Sequence, residues 1–303
     1  MRQPLTVAAI DCGTNTIKLL IGALPAVSVH EARMVRLGQG VDRTGRLADE
    51  ALERTFAAID EFAALIATHQ VDRIRFCATS ASRDASNAAV FVAGVRERLG
   101  VEPEVISGDE EAALAFSGAL RGLSPSVPRP VLIVDVGGGS TELILGTTAP
   151  QAAHSMDIGS VRLHERHLHS DPPTAAEIAA AVSDIDAALD ACPVDPAAAA
   201  AVVGIAGTAC TVVAGVLDLP AYDRDRIDQA TVSVAAVQDF VRDLVAMPVA
   251  ERLSLPYLHP GRADVIGAGA LIVSRVLVRT NLTSMTASES DILEGIAWSL
   301  VED

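Results

Sequence analysis

The segment Ala8-Ala-Ile-Asp11-Cys-Gly13-Thr-Asn-Thr-Ile-Lys-Leu19-Leu-Ile-Gly22 returns 124 residues later as Leu132-Ile-Val-Asp135-Val-Gly137-Gly-Gly-Ser-Thr-Glu-Leu143-Ile-Leu-Gly146. Asp11 and Asp135, Gly13 and Gly137, Leu19 and Leu143, and Gly22 and Gly146 are identical in register, and Thr16 and Ser140 share a hydroxyl. Each copy reads as an apolar strand, an Asp-x-Gly turn of small residues, and a second apolar strand. Such a hairpin lets backbone N–H groups approach a bound group closely. Two copies, each opening one half of the chain, predict two related α/β domains flanking a cleft.

Between the two copies, Gly122-Leu-Ser-Pro-Ser-Val-Pro-Arg-Pro130 holds three prolines and two serines and reads as a linker. It places one domain at 1–122 and a second at 127–303. A closing helix at 290–301 is free to pack back on the first. Length agrees, since 303 residues at about 150 per domain give two. Charge also changes at the linker, from net −3 before residue 123 to net −13 after it. Half of the residues are apolar, enough for real cores, which excludes fibrous, disulfide-stapled and disordered classes. The total of −16 argues against non-specific binding to nucleic acid or an anionic membrane, but not against an anion held in a local pocket. Lys18 is the only lysine, which reflects codon bias.

Cys12, Cys77, Cys192 and Cys210 are far apart and form no CxxC, so a zinc ribbon or thioredoxin-like motif is absent. Reduced thiols and a cytoplasmic location follow. The N-terminal apolar stretch is broken at Asp11 and is too short for a signal peptide. Residues 197–217 carry no charge, long enough to span a bilayer. However, Gly204, Gly207, Thr208 and Thr211 interrupt them, so a strand at 201–206, a turn and a helix at 208–217 are expected instead.

The remaining pattern alternates. Helical spacing covers 49–69, with Leu52, Phe56, Ile59, Phe62, Leu65 and Ile66 on one face. Further helices are expected at 87–99, 109–120, 174–191, 233–245 and 262–277, and strands at 73–78 and 104–106. Ser107 with Glu110 reads as a capping box, and Thr174 as an N-cap.

Neither glycine turn is a dinucleotide fingerprint opening a helix, and neither is a P-loop. Gly137-Gly138-Gly139-Ser140 offers successive N–H donors and a hydroxyl; Gly13-Thr14-Asn15-Thr16 adds side-chain donors. Both suit an anion. Asp11 and Asp135 at the strand ends suit a hard cation such as Mg2+, which takes one or two carboxylates plus waters and phosphate oxygens. His164, His167 and His169 lack the i, i+4 spacing of HExxH and read as solvated histidines near a helix end.

The two turns resemble those of the Ppx/GppA family of exopolyphosphatases and guanosine-pentaphosphate phosphohydrolases, within the actin, Hsp70 and sugar-kinase superfamily. Other segments match in order: Ala78-Thr-Ser-Ala-Ser-Arg-Asp-Ala-Ser-Asn87, Ile106-Ser-Gly-Asp-Glu-Glu-Ala112, Phe116-Ser-Gly118, Gly159-Ser-Val-Arg-Leu163, Gly204-Ile-Ala-Gly-Thr208, Arg262-Ala-Asp-Val-Ile266 and Ser290-Asp-Ile-Leu-Glu-Gly295. The likeness spans nearly the whole chain. Longer members continue into extra helical domains, so this chain resembles a short, two-domain form.

The resemblance implies two actin-like, ribonuclease-H-like domains and a phosphoric anhydride hydrolase. It implies Glu111 as the general base. Phosphate would be bound by Gly13, Thr14, Asn15, Arg83, Gly137, Gly138, Gly139, Ser140, Gly207, Thr208 and Arg262, and Mg2+ by Asp11, Asp135 and Glu142. It implies a possible homodimer and, as substrate, inorganic polyphosphate, with short chains favoured by the net charge. Alternatives of the same fold are removal of the 5′ terminal phosphate from guanosine pentaphosphate and a non-catalytic nucleotide sensor. A sugar kinase fits the segments less well. At the start of a helix Glu111 meets opposing influences: the dipole lowers its pKa and a nearby polyanion raises it.

Overall fold

The protein is seen here in a computed structural model described over residues 5–302. The chain forms two compact units. One comprises the residues up to Gly118 together with those from Ile292 on, and the other runs from Ala119 to Asp291. The closing helix, Ile292–Ser299, belongs to the first unit and packs on its central strand.

The first unit is built on β1 (Val7–Cys12), β2 (Thr16–Ala23), β3 (Ala26–Met34), β4 (Arg73–Ala78) and β5 (Glu104–Val105). Their order is β3-β2-β1-β4-β5. β2 runs antiparallel to both β1 and β3, and β4 and β5 run parallel to β1. Central β1 is buried at every position, as the unbroken apolar run Val7–Ile10 requires of a strand covered on both faces. The helix Asp49–Thr68 buries Leu52, Ile59, Phe62 and Ile66 in this unit's core. The closing helix comes so near the helix Gly108–Gly122 that a Cβ at Gly295 would strike the Leu114 carbonyl, so only glycine allows that contact.

The second unit holds β6 (Val131–Val136), β7 (Thr141–Gly146), β8 (Pro150–Met156), β9 (Ala201–Ile205), β10 (Thr231–Ser233) and β11 (Ser284–Ala287), in the order β10-β11-β9-β6-β7-β8. The run β8-β7-β6-β9-β11 reproduces β3-β2-β1-β4-β5, with the same antiparallel hairpins and parallel crossovers. The repeat is therefore a repeat of the whole sheet plan, with β10 added at one edge. The fold is mixed α/β with two sheets and two domains, and the shared strand order is what the actin-like expectation requires.

The uncharged segment resolves into β9 and the helix Ala206–Val216. Among the described residues no helix is long and apolar enough to cross a membrane. Several local expectations need correction. The hairpins continue into third strands, β3 and β8; both are half-exposed edge strands without a strong apolar alternation. The helix expected from residue 262 begins at Ile266, because 260–262 forms a 3₁₀ turn with Pro260 in its first position. The capping box at Ser107 is only half made: its hydroxyl accepts the Glu110 N–H at 3.2 Å, while the Glu110 carboxylate turns to Arg75 at 2.7 Å. The full box forms at Thr174 and Glu177.

Candidate active site

Both glycine turns close in the same way. Gly13 N–H donates to the Thr16 carbonyl, and Gly137 N–H to the Ser140 carbonyl, each at 3.0 Å. The turn carbonyls face the protein. Thr14 O accepts Gly38 N–H at 2.8 Å, and Asn15 O accepts those of Val35 and Arg36. In the second unit, Gly137 O accepts Ser160 N–H, and Gly138 O accepts those of Val161 and Arg162. Arg162 Nε adds a bond to Gly139 O at 2.7 Å. With the carbonyls so occupied, the N–H groups of Thr14 and Asn15 in one turn, and of Gly138, Gly139 and Ser140 in the other, donate to no protein acceptor among the described residues. Runs of open N–H groups are anion cradles. The Asn15 side-chain oxygen is also buried without a partner, an orphaned polar atom of the kind a ligand satisfies. The second turn depends on a bare neighbour: a Cβ at Gly159 would meet the backbone of Gly138 and Gly139.

The register distinguishes the two copies. Asp11 lies opposite Lys18, with Lys18 Nζ 3.5 Å from its carboxylate. At the equivalent place in the second copy, Asp135 lies opposite Glu142. Both are buried, Glu142 to 1 % exposure, and Glu142 accepts a 2.6 Å bond from the Ser155 hydroxyl. One copy thus pairs its aspartate with a cation, and the other sets two carboxylates side by side. Among the described residues no group of three or more His, Cys, Asp or Glu side chains gathers around one point as a metal cage. Mg2+ does not need one, since one or two carboxylates suffice. Asp135 and Glu142 therefore fit it, whereas Asp11 is already partly neutralised by Lys18.

Glu111 sits in the first turn of the helix Gly108–Gly122 and is buried. Its Oε2 accepts a 2.7 Å hydrogen bond from Arg83 Nη1, which also donates to Ile106 O at 2.9 Å. Burial raises the Glu111 pKa; the Arg83 charge and hydrogen bond, and a smaller contribution from Thr79, pull it down without cancelling the rise. Desolvation therefore outweighs the pull of Arg83 and Thr79, leaving a carboxyl above the usual range. Arg83 keeps Nε and Nη2 free of protein acceptors among the described residues. It lies in the last turn of the helix Ser80–Asp84, which follows β4 and is tied to the end of β1 by a Thr79 N–H to Cys12 O bond of 3.1 Å. The first turn, Arg83 and Glu111 are thus carried by directly bonded elements of one unit.

In the second unit, Gly207 and Thr208 open the helix Ala206–Val216, whose first residue has a left-handed φ of 56°. The Arg262 guanidinium lies against Gly207, occupying the space a Cβ would take. It makes no hydrogen bond or ion pair among the described residues. Its loop is clamped by Arg252, a fully buried guanidinium. Arg252 donates to the helix-end carbonyls of Leu244 at 3.0 Å and Val245 at 3.1 Å, and to Ala263 O at 3.2 Å. The histidines are less solvated than expected: His164 and His167 are half-buried on the helix Ser160–His167. His167 Nε2 lies 2.9 Å from Asp184, while His169 is exposed.

Sequence reasoning did not single out Lys18, Thr79, Ser155 or Arg252. Thr79 stands inside a quoted segment, and Lys18 aligns with Glu142 in the repeat, so both carried a usable signal. Ser155 and Arg252 reach their partners only through tertiary packing.

The first unit offers an N–H cradle for an anion and a buried carboxyl of raised pKa beside a guanidinium; the second offers an N–H cradle and a carboxylate pair for a divalent cation. That is equipment for handling phosphate. The sequence model of the Ppx/GppA phosphatase family matches residues 21–303, and the chain belongs to that family. It is 44 % identical to Exopolyphosphatase 2 of Mycobacterium tuberculosis (strain CDC 1551 / Oshkosh), over 97 % of this chain and 98 % of that protein. It is 30 % identical to the guanosine-5′-triphosphate,3′-diphosphate pyrophosphatase of Photobacterium profundum, over 99 % of this chain and 60 % of that one. Among solved structures, an exopolyphosphatase-like protein superposes with a TM-score of 0.95 at 44 % identity, covering 98 % of each chain.

Proposed function

We propose that the protein is an exopolyphosphatase that releases terminal orthophosphate from inorganic polyphosphate. The observation that carries this reading is Glu111: a buried carboxyl of raised pKa, fixed by Arg83, on elements bonded to an open N–H turn. In the proposed reaction the open N–H groups of Thr14 and Asn15, carried with Arg83 and Glu111 on the first unit, hold phosphate oxygens, and those of Gly138, Gly139 and Ser140 offer the same donors on the second. The free edge of Arg83 binds and orients the terminal group, because a planar guanidinium donates two parallel bonds to phosphate. Glu111 accepts a proton from water as its oxygen attacks the terminal phosphorus. The bond from that phosphorus to the bridging oxygen breaks, and the shortened chain leaves as an anion. No covalent nucleophile is needed, since phosphoryl transfer rests mainly on positioning and charge stabilisation. Asp135 and Glu142 would hold Mg2+, which supplies neutralisation of phosphate charge when bound. Arg262 and the Gly207–Thr208 turn offer a further anion contact. The high identity to a curated exopolyphosphatase over nearly its full length supports the same reading.

The test is orthophosphate release by the purified protein with Mg2+, from polyphosphate and from guanosine pentaphosphate in parallel. Faster release from polyphosphate is expected. Release from guanosine pentaphosphate alone moves the assignment to that substrate, and release from neither by a folded protein moves it to a binding role.

A further inference from the structure

The loop between β3 and the helix Asp49–Thr68 opens into a pocket of about 660 Å³ in the first unit, with Gln39, Arg43, Arg46, Asp49, Glu50 and Arg54 among its walls. Arg54 is fixed there by bonds from Nε to Val35 O at 3.0 Å and from Nη2 to Gln39 Oε1 at 3.3 Å. The guanidinium groups of Arg43 and Arg46 are exposed and bond to no protein acceptor among the described residues. In the same unit Arg33, Arg75 and Arg98 are all matched to carboxylates. Gly40 and Gly45, at φ values of 75° and 64°, leave the flanking backbone bare: a Cβ at either would meet nothing within 4 Å.

The loop's attachments give the pocket its meaning. At one end, Gly38 N–H bonds to Thr14 O, and Val35 and Arg36 N–H to Asn15 O. At the other, Gly45 O accepts Ser86 N–H at 2.9 Å, and the Asn87 side chain makes two bonds to Leu47. The pocket is therefore strapped to the first anion turn and to the residues just beyond Arg83. Three guanidinium groups against Asp49 and Glu50 leave it at one net positive charge, in a chain of net −16. Such a mixture suits a polyanion that travels with its own counter-cations: the arginines take phosphate oxygens, and the two carboxylates face the cations.

We propose that Arg43, Arg46 and Arg54 form a second anion station, which binds phosphates of the polyphosphate chain beyond those held at the hydrolytic site. This rests on the exopolyphosphatase reading and adds a local determinant of chain length to it, one that works against the preference for short chains expected from the net charge. Apparent affinity should rise with chain length until the chain spans both stations and then level off. The gain should shrink with added salt, as exposed charge pairs are screened.

The experiment compares KM for tripolyphosphate and for long-chain polyphosphate in the wild type, the double variant R43Q/R46Q, and R96Q, an exposed charge control elsewhere in the unit. Loss of two exposed charge-assisted contacts should raise the long-chain KM about tenfold, leave tripolyphosphate unchanged, and find no effect in R96Q. An equal change for both substrates, or no change in either, overturns the proposal. If the protein hydrolyses neither compound, the exopolyphosphatase reading fails on its own. Calorimetric binding of long-chain polyphosphate then decides the second station: weaker binding to R43Q/R46Q than to R96Q upholds it, and equal binding overturns it.

Discussion

Replacing Arg83 by methionine should move the acid limb of the pH–rate profile to higher pH. Burial raises the Glu111 pKa, and Arg83, 2.7 Å away, holds part of that rise back. A hydrogen bond to a charged group is worth about 1.5–3 kcal/mol, equivalent to about one to two pH units at about 1.36 kcal/mol each. The Arg83 side chain is 23 % exposed, so solvent screening places the effect near the lower end, at about one pH unit. The sign is set by the proposed chemistry. Glu111 acts as a base only when ionised; without the guanidinium it ionises at higher pH, and the rise of kcat/KM with pH follows it upward. Lysine at position 83 keeps the charge and should shift the limb less. The assay is initial orthophosphate release across a pH series for wild type, R83M and R83K. A limb that stays in place or moves to lower pH in R83M would refute the argument. Activity lost on the alkaline plateau, where Glu111 is ionised in every variant, measures the separate contribution of Arg83 to binding phosphate.

Two further substitutions probe the scaffold. R252M removes every donor that Arg252 gives to the carbonyls of Leu244, Val245 and Ala263; Leu244 O keeps the Met247 N–H, but the lost bonds and packing of a fully buried guanidinium should cost about 3 kcal/mol and lower Tm by about 10 °C, with R252K intermediate, and a Tm within a degree or two of wild type would show the clamp to be dispensable. G159A drives a Cβ into the backbone of Gly138 and Gly139; it should destabilise by about 1–3 kcal/mol and weaken substrate binding by distorting the second cradle, and unchanged KM with unchanged stability would mean that turn has more freedom than its packing implies.

Much of the architecture was legible in the repeat. Asp-x-Gly between two apolar runs, found twice in register, locates both hairpins and their open turns, because hairpin chemistry is local. Strands β3 and β8 were not legible, because edge strands that are half exposed carry little alternation. The start of the helix at Ile266 was misplaced, because Pro260 begins a separate 3₁₀ turn that composition does not distinguish from a helical first turn. The family resemblance singles out Glu111 and Arg83 one at a time; the contact between them spans 28 residues and arises from packing. The contrast between Lys18 and Glu142 lay in plain view in the aligned repeat, but its meaning depends on the register that places each opposite its aspartate.

In the proposed reaction Glu111 activates water against polyphosphate. Its most direct test is single-substitution kinetics of E111Q with polyphosphate and Mg2+, alongside thermal unfolding of the same sample. Glutamine keeps the shape and can still accept the Arg83 hydrogen bond but has no basic carboxylate. The expected result is a folded protein with KM near wild type and kcat reduced by about 10²–10⁴-fold, the usual contribution of a positioned base. A folded E111Q that releases orthophosphate at the wild-type rate would contradict it.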